Sequence, residues 1–229
     1  MSADNSVSYF YRNMGILLLA LVLAGFGFSA LGNEKSPLDL PTLFHIHALV
    51  YLAWFSLFII QTSLITKSNY NTHRSLGYAS LLLIPAMLIT GFMMSVVSYD
   101  RGISPIPNTT IQQFMVFPLQ DLVGLVLFFA IAFLNRHVAV THKHAMLIMS
   151  IAIMDPAVAR LSFVLGFPPA AALMHIALVV MVILYDRKTY QKIHWVTWAG
   201  LVYVIIRSVF IFTIGATGGW ASLVDSMYG

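Results

Sequence analysis

Seven apolar runs separated by short polar turns take up most of this 229-residue chain. Each approaches the roughly 20 residues that a helix needs to cross a bilayer core. They fall at 14–31, 43–66, 75–98, 115–135, 144–165, 171–185 and 195–214. In hydrocarbon every backbone N–H and C=O must find its partner within the segment, so such runs fold as helices and their turns sit at or beyond the interface. The sequence therefore predicts an all-α polytopic transmembrane bundle of about seven spans, one membrane domain over 1–229. The sixth run has only 15 residues, and its helix could begin at Pro168 or Pro169, because proline fits the first turn of a helix.

Charged residues make up 9% of the chain, against roughly 25% in a soluble domain, and the mean hydropathy is +0.86. A water-soluble enzyme and a disordered chain are both excluded. Cysteine is absent, which removes disulfides, thiolate metal sites and cysteine nucleophiles. Glu34 is the only glutamate, so glutamate acid–base chemistry in the core is excluded as well. Met1 to Asn13 is polar and Met14 to Leu31 apolar; Ala24-Gly25 is the one candidate cleavage site, and an uncleaved first span is the default.

The formal charge of +4 bears on orientation rather than on nucleic acid, for which no binding motif is present. Arg12, Lys67, Arg74, Arg136, Lys143, Arg187, Lys188 and Lys192 fall on one side of the seven-span layout, and Lys35 and Arg101 on the other. The positive-inside rule then expects a bacterial inner-membrane protein with a cytoplasmic N-terminus and a periplasmic C-terminus that includes Asp225.

Asp121, Asp155, Arg160 and Arg207 lie inside apolar runs. Ionisable groups there face the bundle or a cavity, and they mark functional sites by default. Both arginines are expected in the outer half, paired internally with Asp155 and Asp121 or holding an anionic group. Asp155-Pro156 predicts a kink near mid-depth, because proline removes an amide donor. Asp155 and Arg160 stand five residues apart and so do not share a helical face.

The eight histidines are His45, His47, His73, His137, His142, His144, His175 and His194. The layout gives an outer pair, His47 with His175, and an inner pair, His73 with His144. Four imidazoles from four helices, two near each face, are what two haem b groups in series require. Arg160 or Arg207 would then meet propionates on the outer side, and Arg74 or Lys143 on the inner side. The leading expectation is a membrane electron-transfer protein or redox subunit, with a quinone or another membrane redox subunit as partner and the oligomeric state open. The alternatives are a non-haem enzyme with zinc, copper or iron on His73, His142, His144 and His194, a transporter, or an accessory subunit. In the metal alternative His142 would have to precede its helix, since positions i and i+2 do not face each other. No bundle lysine is available for a retinal Schiff base, and no charged ring or filter loop suggests a channel. The spacings His47 to His73 and His144 to His175 would suit an inverted repeat, although the halves show little sequence similarity. Tyr51, Trp54, Phe55 and Phe58 read as helix packing, Trp195 and Trp198 as an interface belt, and the methionines as core filling.

Leu43-Phe44-His45-Ile46-His47, Trp54-Phe55, Gln61-Thr62 and His73-Arg74-Ser75-Leu76-Gly77-Tyr78 carry a resemblance, continued by His144-Ala145-Met146 and by Asp155 to Leu161. About half the chain resembles a widespread group of uncharacterised bacterial integral membrane proteins with a His-Arg-x-Leu-Gly motif. The resemblance implies a multi-span helical bundle and singles out His47, His73 and His144 as signature histidines, but it brings no function with it. A weaker similarity, in histidine placement alone, links the chain to diheme membrane cytochromes b.

Overall fold

A computed structural model describes residues 3–31, 39–102, 104, 106 and 108–229, with side chains of the first helix from Tyr9 onward. The expected Gly32 to Lys35 end of the first span, Glu34, most of the loop before Pro41, and the prolines 105 and 107 lie outside these residues. The described residues are all helical or in turns: α1 (Ala3–Leu31), α2 (Thr42–Thr66), α3 (Tyr70–Gly77), α4 (Ser80–Asp100), α5 (Ile111–Phe114), α6 (Val116–Leu134), α7 (Ala139–Ala152), α8 (Asp155–Val164), α9 (Ala170–Tyr190), α10 (Trp195–Phe210) and α11 (Gly218–Tyr228). Among the described residues six stretches are long and apolar enough to cross a membrane, or seven when the bent pair α7–α8 is counted as one span.

Several boundaries move outward from their expected positions. The first helix starts ahead of Met14, and its core already includes Tyr11. The third begins at Tyr70, where Asn69 caps α3 by accepting from the Thr72 amide at 3.2 Å. The short sixth run extends to Tyr190, which places Asp186 inside a helix instead of after it. The amphipathic α11 was not foreseen; Thr217 caps it by accepting from the Trp220 amide at 3.2 Å.

The bent span α7–α8 is the hub, packed against α1, α6, α9 and α10. In α7, Thr141, His144, Ala145 and all of 147–152 are buried. Helices in lipid gain little from the hydrophobic effect and associate through close packing, which small residues permit. At Gly25 a Cβ would sit 2.5 Å from the Ala157 carbonyl oxygen, so α1 and α8 meet backbone to backbone only because that position is glycine.

The expected kink is present. The axes of α7 and α8 differ by 46°, and Pro156 lies in the first turn of α8. Its missing N–H leaves the Ala152 carbonyl, four residues earlier, without a helical donor. That vacancy positions the site.

Candidate functional site

The break in the hub helix holds a buried charged centre. Arg207 on α10 donates from Nη1 to Asp121 Oδ1 at 2.9 Å and to the freed Ala152 carbonyl at 2.8 Å. Its Nη2 donates to Asp155 Oδ1 at 2.6 Å and lies 3.1 Å from His175 Nε2. His175 Nδ1 is 3.3 Å from Asp155 Oδ1, and its Nε2 is 3.1 Å from the Ile151 carbonyl. Four spans thus contribute α6, α8, α9 and α10 side chains, and the α7 end contributes two carbonyls. Arg207 is 3% exposed and His175 1%. Asp155 opens α8, where the positive end of the helix dipole favours a carboxylate.

Around this centre the polar groups continue. Tyr203 donates to the Gln120 carbonyl, in a seat that Gly124 leaves open. Tyr51 donates to the Met87 carbonyl at 3.4 Å, and its ring lies against His47 in a tilted contact with centroids 4.3 Å apart. Asp155 Oδ2, Gln120 Oε1 and His47 Nδ1 are buried with no hydrogen-bond partner. Unpartnered buried polar atoms of this kind are rare, and they mark sites for water, an ion or a ligand.

Arg160 departs from the expected pairing. It meets no carboxylate among the described residues: Nη1 donates to the Pro156 carbonyl at 2.7 Å and the guanidinium covers the Phe26 ring at 4.2 Å. The five-residue offset from Asp155 accounts for this. Arg207, for its part, has both Nη nitrogens engaged by its partners.

A second buried cluster lies at the opposite end of α7. Asp186 Oδ1 is 2.6 Å from His144 Nε2, while Oδ2 accepts from the Thr197 hydroxyl at 2.7 Å and from the His194 amide at 3.0 Å. His144 Nδ1 lies 2.6 Å from the Val140 carbonyl, and the Tyr11 hydroxyl touches the ring edge at 3.2 Å. His194 stacks on His144 with centroids 4.6 Å apart. Its Nδ1 caps α10 by accepting from the Val196 amide at 3.3 Å. Burial, and then the neighbouring His144, hold the His194 imidazole below its ordinary value. His194 also lines a cavity of about 270 Å³ with Val138, Val140, Thr141, Tyr190 and Lys192.

Of the expected histidine sets, the structure brings His144 and His194 together. It makes no hydrogen bond or ring contact between His47 and His175, or between His73 and His144, among the described residues. His142 lies inside α7 with His144, so the two diverge as i and i+2 must: His142 Nδ1 meets the Ala132 carbonyl at 2.9 Å. His73 Nδ1 is buried without a partner. No group of three or more histidine, aspartate or glutamate side chains suited to a metal ion occurs among the described residues. Asp186 is the residue that the sequence reading missed. It stands eleven positions after His175, three helical turns on the same face of α9, and that spacing was the available signal.

Comparisons with protein families, with curated proteins and with solved structures give no match to this chain.

Proposed function

We propose that this protein is a proton-coupled transporter of the bacterial inner membrane, with its N-terminus cytoplasmic and its C-terminus periplasmic. The observation that carries the reading is the charge of the Arg207 centre. Two buried carboxylates, Asp121 and Asp155, surround one guanidinium. The centre holds one excess negative charge until a proton or a cation joins it, and an uncompensated charge at that depth is costly.

The Asp121–Asp155 pair can take the proton: both Oδ1 atoms are tied to Arg207, and Asp155 Oδ2 is buried with no hydrogen-bond partner. The His175 ring lies across the same carboxylate, with Nδ1 facing Asp155 and Nε2 facing Arg207. A proton on the carboxylate pair cancels the excess negative charge and weakens the ion pair that holds Arg207 at the break. Proton loading thus changes the tie between α10 and the break in the hub span. Broken spans at mid-depth, with exposed carbonyls on one half and a helix start on the other, are the usual site of coupled transport.

Infrared spectra of the reconstituted protein are expected to contain a carboxylic-acid band that titrates with pH and disappears in Asp155→Asn. Everted vesicles holding a proton gradient are expected to discharge it on addition of the transported solute, and vesicles with Asp155→Asn are not. Absence of a titrating carboxyl band would end the proposal. The orientation rests on the eight-to-two division of basic residues. A C-terminal reporter active only in the cytoplasm would overturn it.

A redox subunit binding haem b is the second reading. What supports it is that His47 and His73 each keep a buried Nδ1 without a partner. His144 and His175 would have to give up Asp186 and Arg207 to serve opposite them. Oxidised and reduced spectra of protein made with ample haem test this reading directly. Metal analysis of the same sample tests zinc, copper or non-haem iron.

A further inference from the structure

The turn between α9 and α10 lies far along both helices from the Arg207 centre. Gln191, in the left-handed region at φ 57°, ends α9 and turns the chain back on itself. Arg187, Gln191, Lys192, Ile193 and Trp198 line a cavity of about 430 Å³ there.

Its two cations lack counter-ions. Arg187 and Lys192 are exposed, and neither has an ion pair among the described residues. The carboxylate beside them in sequence, Asp186, is wholly buried and fully engaged by His144, Thr197 and the His194 amide. It therefore points into the bundle and leaves the cavity positive.

Trp198 forms one wall, and from it an apolar stripe runs along α10. Trp198, Val202, Ile205 and Val209 are 49%, 50%, 46% and 51% exposed. Spacings of four, three and four place them on one face of the helix. The face is apolar, outward and unpartnered, as a surface against acyl chains should be. A paired cation site at the end of a span, opening onto such a face, has the two-part chemistry of a lipid: an anionic phosphate above and hydrocarbon below.

We propose that this cavity binds one anionic phospholipid, with its phosphate between Arg187 and Lys192 and its chains along the α10 stripe.

Trp198 supplies the probe. Trp195 and Trp220 are replaced by phenylalanine, which leaves the buried Trp54 and the cavity's Trp198. Fluorescence is then followed in detergent while phosphatidylglycerol or phosphatidylcholine with brominated chains is added. A basic residue near a lipid phosphate contributes about fivefold in affinity, so phosphatidylglycerol is expected to quench at a concentration at least about fivefold lower. Arg187→Gln with Lys192→Gln is expected to make the two curves coincide. Arg187→Lys should keep the preference, as should Lys67→Gln with Arg136→Gln at the other turns of the same end. Equal quenching by the two lipids in the parent protein would overturn the site. So would a preference that survives the double substitution. If glycerol phosphate alone stabilises the lipid-free protein as well as phosphatidylglycerol does, and through the same two residues, the ligand is a soluble phosphate and the lipid assignment falls.

Discussion

Arg207 donates at 2.8 Å to the carbonyl of Ala152, the carbonyl that Pro156 leaves without a helical donor. One proline therefore breaks the hub span and creates an acceptor for the buried arginine. Two carboxylates complete the arrangement, Asp155 at the start of α8 and Asp121 on α6. Removing the guanidinium leaves both carboxylates buried without their counter-charge, which costs about 3–5 kcal/mol. Arg207→Met is expected to lower the thermal unfolding temperature in detergent sharply. Arg160→Leu, which removes only a carbonyl contact and a ring contact, is expected to cost about 1 kcal/mol. Equal losses would mean that the Arg207 charges are solvated.

The Tyr203 hydroxyl occupies space beside Gly124 that no other residue would leave. A Cβ at Gly124 would approach that oxygen to 2.6 Å and the Ala152 Cβ to 3.1 Å. Gly124→Ala is expected to destabilise by about 1–3 kcal/mol through overpacking. Tyr203→Phe removes the clashing oxygen, so the double substitution should recover part of that loss. A double-mutant cycle in detergent unfolding measures the coupling, and strict additivity would show that α6 shifts to admit the methyl group.

The spans were legible because lipid leaves the backbone few choices, and the bend at Asp155-Pro156 because proline removes a specific donor. The pairing of Asp121 and Asp155 with an arginine follows from the cost of isolated charge, and Arg207 meets both. Which arginine it would be was not legible, because depth along a span says nothing about rotation around it. Arg160 has suitable depth and the wrong face. The same gap explains the histidines: His73 and His144 begin their spans at the same end, yet His144 turns to Asp186, which lies just past the sixth apolar run at 171–185. The α11 helix lies beyond the seventh apolar run, which ends at 214, and in the fold Thr217 caps the chain into a helix there.

Asp225 ties α11 to the bundle end. It accepts from Gln112 at 2.9 Å and from the Tyr99 hydroxyl at 2.8 Å, and these bonds hold its carboxyl below the ordinary 3.8. A carboxyl depressed in the folded state contributes stability above its unfolded pKa and loses it as pH falls through the folded pKa. Docking of α11 is therefore expected to persist at neutral pH and to loosen only in acid below the usual carboxylate range. Trp220, which donates to the Gln112 carbonyl at 2.7 Å, should report this in its fluorescence. Asp225→Asn should flatten the acid transition. A transition unchanged by that substitution would place its origin elsewhere.

Asp186 has three donors to satisfy: His144, Thr197 and the His194 amide. Asp186→Ala leaves all of them buried without an acceptor and is expected to cost about 3–5 kcal/mol. Asparagine offers a gentler exchange. Its carbonyl can serve the His194 amide while its NH2 faces His144 Nε2, an arrangement that requires the imidazole hydrogen to move from Nε2 to Nδ1, toward the Val140 carbonyl. Asp186→Asn is therefore expected to cost about 1–3 kcal/mol, less than alanine. In that background His144→Ala should cost less than it does in the parent, because the charge-assisted bond at 2.6 Å is already gone. A coupling of about 1 kcal/mol or more in the four-variant cycle, read from unfolding in detergent, is the expected result. Independent losses would show that Asp186 serves the turn before α10 alone and that His144 is held by Val140 and Tyr11.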